Sequence, residues 1–158
     1  MILSAQTIRK FGEQGLLVVP FSERTVVRGK SYGLSAAGYD VRVEFGRGDA
    51  IVIPPQGFVL AATVERFAMP YSVVGIVHDK SSWARRGLTV QNTVIEPGWR
   101  GHLTLELTNH SDSDITLCAG DPIAQIVFHW LDEPTMQPYV GKYQDQARGP
   151  QEAKDEGC

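Results

Sequence analysis

The sequence predicts an all-β sandwich or barrel with one minor N-terminal helix. Short apolar or alternating runs recur at spacings of roughly 8 to 12 residues, and Gly and Pro punctuate the gaps between them. Helical spacing shows only near the N-terminus, where Ile8 and Phe11 share a face. The stretch after Pro134 has no apolar periodicity, so the core must come from what precedes it.

Ser4 can cap the helix, and Gly12 or Gly15 can end it. Leu16 to Phe21 is an apolar run containing a proline, and Thr25-Val26-Val27 is a β-branched cluster before the Gly-rich stretch Gly29 to Gly38. Tyr39 to Phe45 alternates apolar against charged. Turns at Gly46–Asp49 and Pro54–Gly57 bracket a strand at Ala50–Ile53. Phe58–Val64 and Ser72–Val77 read as strands on either side of Met69-Pro70. Ile115–Leu117 and Ile123–Trp130 follow the polar turns Asn109–Asp114 and Ala119–Pro122. Between them, Lys80 to Glu106 runs from a polar turn through a short apolar strand and a Pro-Gly turn into an alternating strand. In that strand period 2 puts Leu103, Leu105 and Leu107 on one face and Thr104, Glu106 and Thr108 on the other.

At 158 residues the chain suits one domain, divided here into a body, 1–138, and a tail, 139–158. A net charge of −3 gives no reason to expect nucleic acid or an anionic membrane as partner. Cys118 and Cys158 form neither a metal-ligand spacing nor a disulfide framework, and no leader or membrane-length apolar run is visible, which fits a reducing cytoplasm. The tail is polar and Gln/Gly-rich, so it is expected to be flexible, or ordered only on closing over something.

Several residue groups could carry chemistry. Asp40 reads either as a charge on a solvated strand face or as a carboxylate holding hydrated Mg²⁺ against phosphates. Lys80, Ser81, Ser82 and Arg85 form a polar, basic turn suited to an oligophosphate, or a solvated capping turn. Glu96 and Glu106 flank the turn at Trp99. They read either as a carboxylate pair dividing acid and base roles, or as two solvated acids. The four histidines do not pair at metal spacing and Cys-x-x-Cys is missing, so any deaminase chemistry here would proceed without zinc.

Taken together these stretches resemble the trimeric family of dUTP diphosphatases and dCTP deaminases across nearly the whole chain. Met1–Ser4 and Leu60–Glu65 leading to Met69-Pro70 are similar to dCTP deaminases, whereas Ala37–Arg42 resembles the first dUTPase motif. Lys80–Arg85 resembles the phosphate-gripping second motif, and Gly120–Phe128 the fourth, whose glutamine is Gln125 here. Thr89–Glu96 resembles the base-reading hairpin of the third motif but is about two residues shorter at its tip. Lys142–Gln146 with Gly149-Pro150 is similar to the deaminase closing segment. The resemblance implies a distorted jelly-roll of the β-clip, dUTPase-like type, a homotrimer with active sites at subunit interfaces, and Mg²⁺ arriving with a pyrimidine deoxynucleoside triphosphate. It also implies site roles. Glu106 would activate water, with Ser81 and Arg85 assisting, while Asp40 would reach the metal through water. Lys80, Ser82, Asn92, Thr93, Trp99, Gln125, Tyr139, Lys142 and Gln146 would bind substrate. The function so implied is conversion of dCTP to dUTP and ammonia. The alternatives are a dUTP or mixed dUTP/dCTP diphosphatase using Glu96, and an inactive nucleotide-binding trimer. Lys80 stands where arginine is usual and Glu96 where aspartate is usual, and the short hairpin leaves cytosine-versus-uracil preference open.

Overall fold

The structure, a computed structural model, describes residues 1–154; the last predicted tail residues and Cys158 lie outside the described residues. In chain order the elements are α1 (Ala5–Glu13), β1 (Leu17–Val19), β2 (Thr25–Val27), β3 (Lys30–Leu34), β4 (Tyr39–Glu44), β5 (Ala50–Ile53) and β6 (Phe58–Ala68). They continue as β7 (Val73–Asp79), α2 (Ser81–Ala84), β8 (Leu88–Val90), β9 (Val94–Ile95), β10 (Arg100–Asn109), β11 (Ile115–Cys118) and β12 (Pro122–Trp130). Among the described residues no helix is long and apolar enough to cross a membrane.

The large sheet runs β8-β10-β6-β4-β12-β7-β9, with β1 on β6, β3 on β4 and β2 on β3, while β5 and β11 pair separately. Its end strands β8 and β9 are separated in the chain only by Gln91–Thr93. A link of that length spans at most roughly 14 Å. The sheet therefore has to curl until its two ends meet, which gives the expected jelly-roll-like shape from strand order alone. Tyr39, Phe67 and Phe128 are the bulkiest fully buried side chains, and Leu105, Leu107 and Leu117 pack with them inside the curl.

The Gly-rich stretch holds strand β3, and Gly33 sits within it at φ +87, where a Cβ would lie 2.4 Å from the Glu23 carbonyl oxygen. Glycine there admits the neighbouring chain rather than breaking the strand. In β4 the charged positions are not solvated: Asp40 and Glu44 are both buried. Residues of both alternating sets in β4 are buried, Tyr39, Val41 and Val43 as well as Asp40 and Glu44, so both its faces are covered and each charge has to find a partner inside.

Candidate functional site

Leu105 and Leu107 of β10 point into the core, which leaves Thr104 and Glu106 on the opposite face. A cavity of about 470 Å³ opens on that face. The register of β10 against β6 slips between His102 and Thr104. This bulge turns Leu103 toward the cavity, which it lines together with Thr104, so strict alternation misplaces Leu103. Glu106 also lines the cavity, and its Oε2 is buried without a hydrogen-bond partner. Burial pushes its carboxyl above the ordinary value of 4.5. Such a carboxyl is a stronger base than a solvated one once ionised, and a proton donor nearer neutral pH when not.

The tail lies along the same face. Trp99 Nε1–H donates to the Tyr143 carbonyl at 2.7 Å, and the His102 N–H donates to the Gln146 carbonyl at 3.0 Å. Gln146 Nε2 donates to Thr104 Oγ1 at 2.6 Å, and the Gln151 N–H reaches the same oxygen at 3.1 Å. Gly101 makes this approach possible: with φ +146, a Cβ there would meet the Gln146 nitrogen at 2.6 Å. Farther along, the buried Glu44 carboxylate accepts from Arg148 Nε at 2.5 Å and from the Gly149 N–H at 2.7 Å. These contacts hold residues that periodicity could not order, and the tail thereby walls the cavity with Tyr139, Tyr143 and Gln151.

The structure divides the predicted site residues between two places. Thr93, Glu96, Trp99, Glu106, Tyr139 and Gln146 line the first cavity. Lys80, Ser81 and Ser82 line a second, of about 340 Å³, together with Lys30 and Arg86, which sequence reasoning missed. α2 is seated there by Trp83, whose Nε1–H donates to the Pro122 carbonyl at 2.7 Å and whose ring lies within 5.2 Å of Lys30 Nζ. Ser81 and Arg85, expected beside Glu106, are exposed around α2 and line no part of its cavity. Among the described residues no ion pair joins Arg85 to Glu106, so within one chain the expected partnership is not formed. Asn92 is exposed and outside both linings, and Lys142 Nζ donates to the Lys154 carbonyl at 2.5 Å. Thr104 and Glu44 were also missed; only Thr104 had a signal, since it shares the period-2 face of Glu106.

Asp40 does not stand open as a direct metal ligand. Lys80 Nζ lies 2.5 Å from its Oδ2, and Gln125 Nε2 lies 3.2 Å from its Oδ1. Both oxygens face nitrogen donors, one of them a cation, which does not fit Asp40 as a direct ligand in the oxygen shell of Mg²⁺; the contact expected from the sequence is one through water. Among the described residues no three His, Cys, Asp or Glu side chains gather as a metal-holding group.

The predicted hairpin is also drawn differently. β8 pairs with β10 and β9 with β7, so its two arms do not pair with each other. With so short a tip, the backbone groups of the arms are taken up by the two ends of the curled sheet. The tip itself is tied down: the Gln91 N–H donates to the Glu106 carbonyl at 3.0 Å and the Val77 N–H to the Thr93 carbonyl at 3.1 Å.

The dCTP deaminase-like family model matches residues 39–131. The dCTP deaminase of Campylobacter curvus is 38% identical over 168 residues, covering 88% of this chain and 90% of its own. Among solved structures, native EIAV dUTPase is 28% identical and covers 66% of this chain and 84% of its own at a TM-score of 0.53. A mutant dUTPase of Staphylococcus aureus phage phi11, described with a structural Mg(II) ion, shares the fold at 17% identity. It covers 77% of this chain and 92% of its own at a TM-score of 0.56.

Proposed function

The chain belongs to the dCTP deaminase-like family, within the dUTPase/dCTP deaminase superfamily of enzymes acting on pyrimidine nucleotides, and from that premise we propose that it converts dCTP and water to dUTP and ammonia. The observation that carries this reading is the partly buried Glu106 carboxylate, one oxygen of which has no partner, at the wall of a cavity large enough for a pyrimidine ring. Glu106 takes a proton from water, and the resulting hydroxide adds to C4. The carboxyl delivers that proton to N3, then takes the proton of the new C4 hydroxyl and passes it to the amino nitrogen; the C4–N4 bond breaks, ammonia leaves, and a C4 carbonyl beside N3–H remains. Thr93, which lines the cavity, would meet the base, with Trp99 at the cavity wall and Asn92 next to Thr93 on the exposed strap. The tail, from 139 onward, closes the site through Tyr139, Lys142 and Gln146.

The cationic cavity with Ser81, Ser82 and Lys80 lies apart from Glu106 in one chain. In a homotrimer it is supplied across the subunit interface, bringing phosphate contacts, the water-holding Ser81 and the guanidinium of Arg85 to a neighbour's Glu106. Two apolar residues lining the Glu106 cavity, Phe58 and Val94, are 59% and 50% exposed, which supports a neighbour covering that edge. Mg²⁺ comes with the triphosphate as its counter-ion, and the proposed compartment is the cytoplasm, where such a substrate would be met.

Glu96 lines the same cavity and is exposed, which favours one second reading: water activated for attack on the α-phosphorus, giving a monophosphate and pyrophosphate. Incubating the purified protein with dCTP and, separately, dUTP decides between them. Ammonia with dUTP from dCTP, and no pyrophosphate, is the expected result. Pyrophosphate from either nucleotide with no ammonia from dCTP would replace the deaminase by the diphosphatase, and binding without turnover would refute both.

A further inference from the structure

The surroundings of Asp40 are those of a carboxylate already matched with a cation. It is 8% exposed, and the Lys80 side chain beside it is 14% exposed, so the pair is largely withdrawn from water. Gln125 fixes the other carboxylate oxygen, and its Nε2 also lies 3.3 Å from Ser35 Oγ, which holds the amide in place. A divalent ion brought to Oδ2 would meet the Lys80 ammonium at contact distance, and like charges at that range in a partly desolvated site exclude one another. Lys80 nonetheless lines the cationic cavity with Lys30, Ser81, Ser82 and Arg86, so its remaining N–H bonds border the space where phosphates would lie.

We infer that the Lys80 ammonium replaces a protein-held divalent cation at Asp40: it neutralises the carboxylate and lets a triphosphate dock without a metal bridge to the protein. Lysine rather than arginine suits this position, because a compact ammonium can fill a hydrated cation's place whereas a planar guanidinium cannot. The inference rests on the reading of the chain as a dCTP-binding enzyme.

Calorimetric titration of the full-length protein with dCTP, in Mg²⁺ and in EDTA, tests it. The wild-type Kd should change by less than about threefold between the two buffers, and Asp40→Asn should not alter that ratio. Lys80→Met bares Asp40, so its Kd should weaken by about tenfold in EDTA relative to Mg²⁺. Mn²⁺ added to Lys80→Met with dCTP should give a protein-dependent paramagnetic signal that is missing when Asp40→Asn is combined with it. A wild-type Kd that weakens about tenfold or more in EDTA, with the sensitivity removed by Asp40→Asn, would overturn the inference alone. So would a Lys80→Met protein that binds equally in both buffers. No dCTP binding in either buffer would overturn the dCTP reading and this inference with it.

Discussion

Glu65 and Glu106 stand on neighbouring strands of one sheet, β6 and β10, and burial pushes both carboxyls up. Their surroundings are opposite. Glu65 is fully buried and accepts from the Arg42 N–H at 2.9 Å and Arg42 Nε at 2.7 Å, while Arg42 in turn stacks 4.5 Å from the centre of the Tyr32 ring. Glu106 keeps an oxygen with no partner and has a cavity in front of it. The desolvation penalty is common to both; the compensation is not. An unsatisfied buried acceptor costs about 1–3 kcal/mol, which a fold can avoid by burying an apolar residue instead. Glu65 thus reads as a strut, and Glu106 as a carboxyl with one oxygen left to the cavity, as the proposed chemistry needs. Glu44 is a third case, buried in the body and satisfied, among the described residues, by the tail.

Exchanging one atom at Glu106 should separate these roles most sharply. Glu106→Gln is expected to lower kcat for ammonia release by about 10²–10⁴, the usual worth of a positioned general base. The denaturation midpoint should not fall, since the change removes a charge that burial disfavours. Retained turnover, or a collapsed fold, would break the contrast. Arg42→Met strips the strut of its partner and should cost about 3–5 kcal/mol in chemical denaturation. A loss of only a few tenths would mean that Glu65 is held by something else.

Glu44→Ala should leave the body folded and free the tail from its charged anchor. An increase in KM of about tenfold is expected, the scale of one lost charge-assisted hydrogen bond, with faster proteolysis after residue 139. The smallest effect is in the pH profile of the unaltered protein. As the proposed base Glu106 would act only when ionised, and burial raises its pKa, so kcat/KM should fall as pH drops through a value above the ordinary 4.5. An acid limb at the ordinary carboxylate value would place Glu106 in water.

What could be read from the sequence was local. The period of β10 identified the face of Glu106, and punctuation by Gly and Pro identified an all-β fold. The bulge that turns Leu103 aside comes from pairing with β6, which no window on β10 contains. The meeting of Asp40 with Lys80 joins residues that are forty positions apart in sequence. Period 2 marked the charges of β4 as polar, but their enclosure depends on Lys80, Gln125 and the tail packing over them, which no window on β4 contains. The tail was invisible to periodicity because single polar contacts, to Thr104 and Glu44, hold it instead of an apolar stripe.

The three residues Gln91–Thr93 have two duties at once. Thr93 lines the cavity where the proposed nucleobase would be read, and the three together are also the clasp that keeps the rolled sheet shut. Lengthening the clasp to admit a different ring would slacken the roll, and tightening the roll would narrow the choice of ring. Selectivity and rigidity in this chain therefore change together, through the same short link.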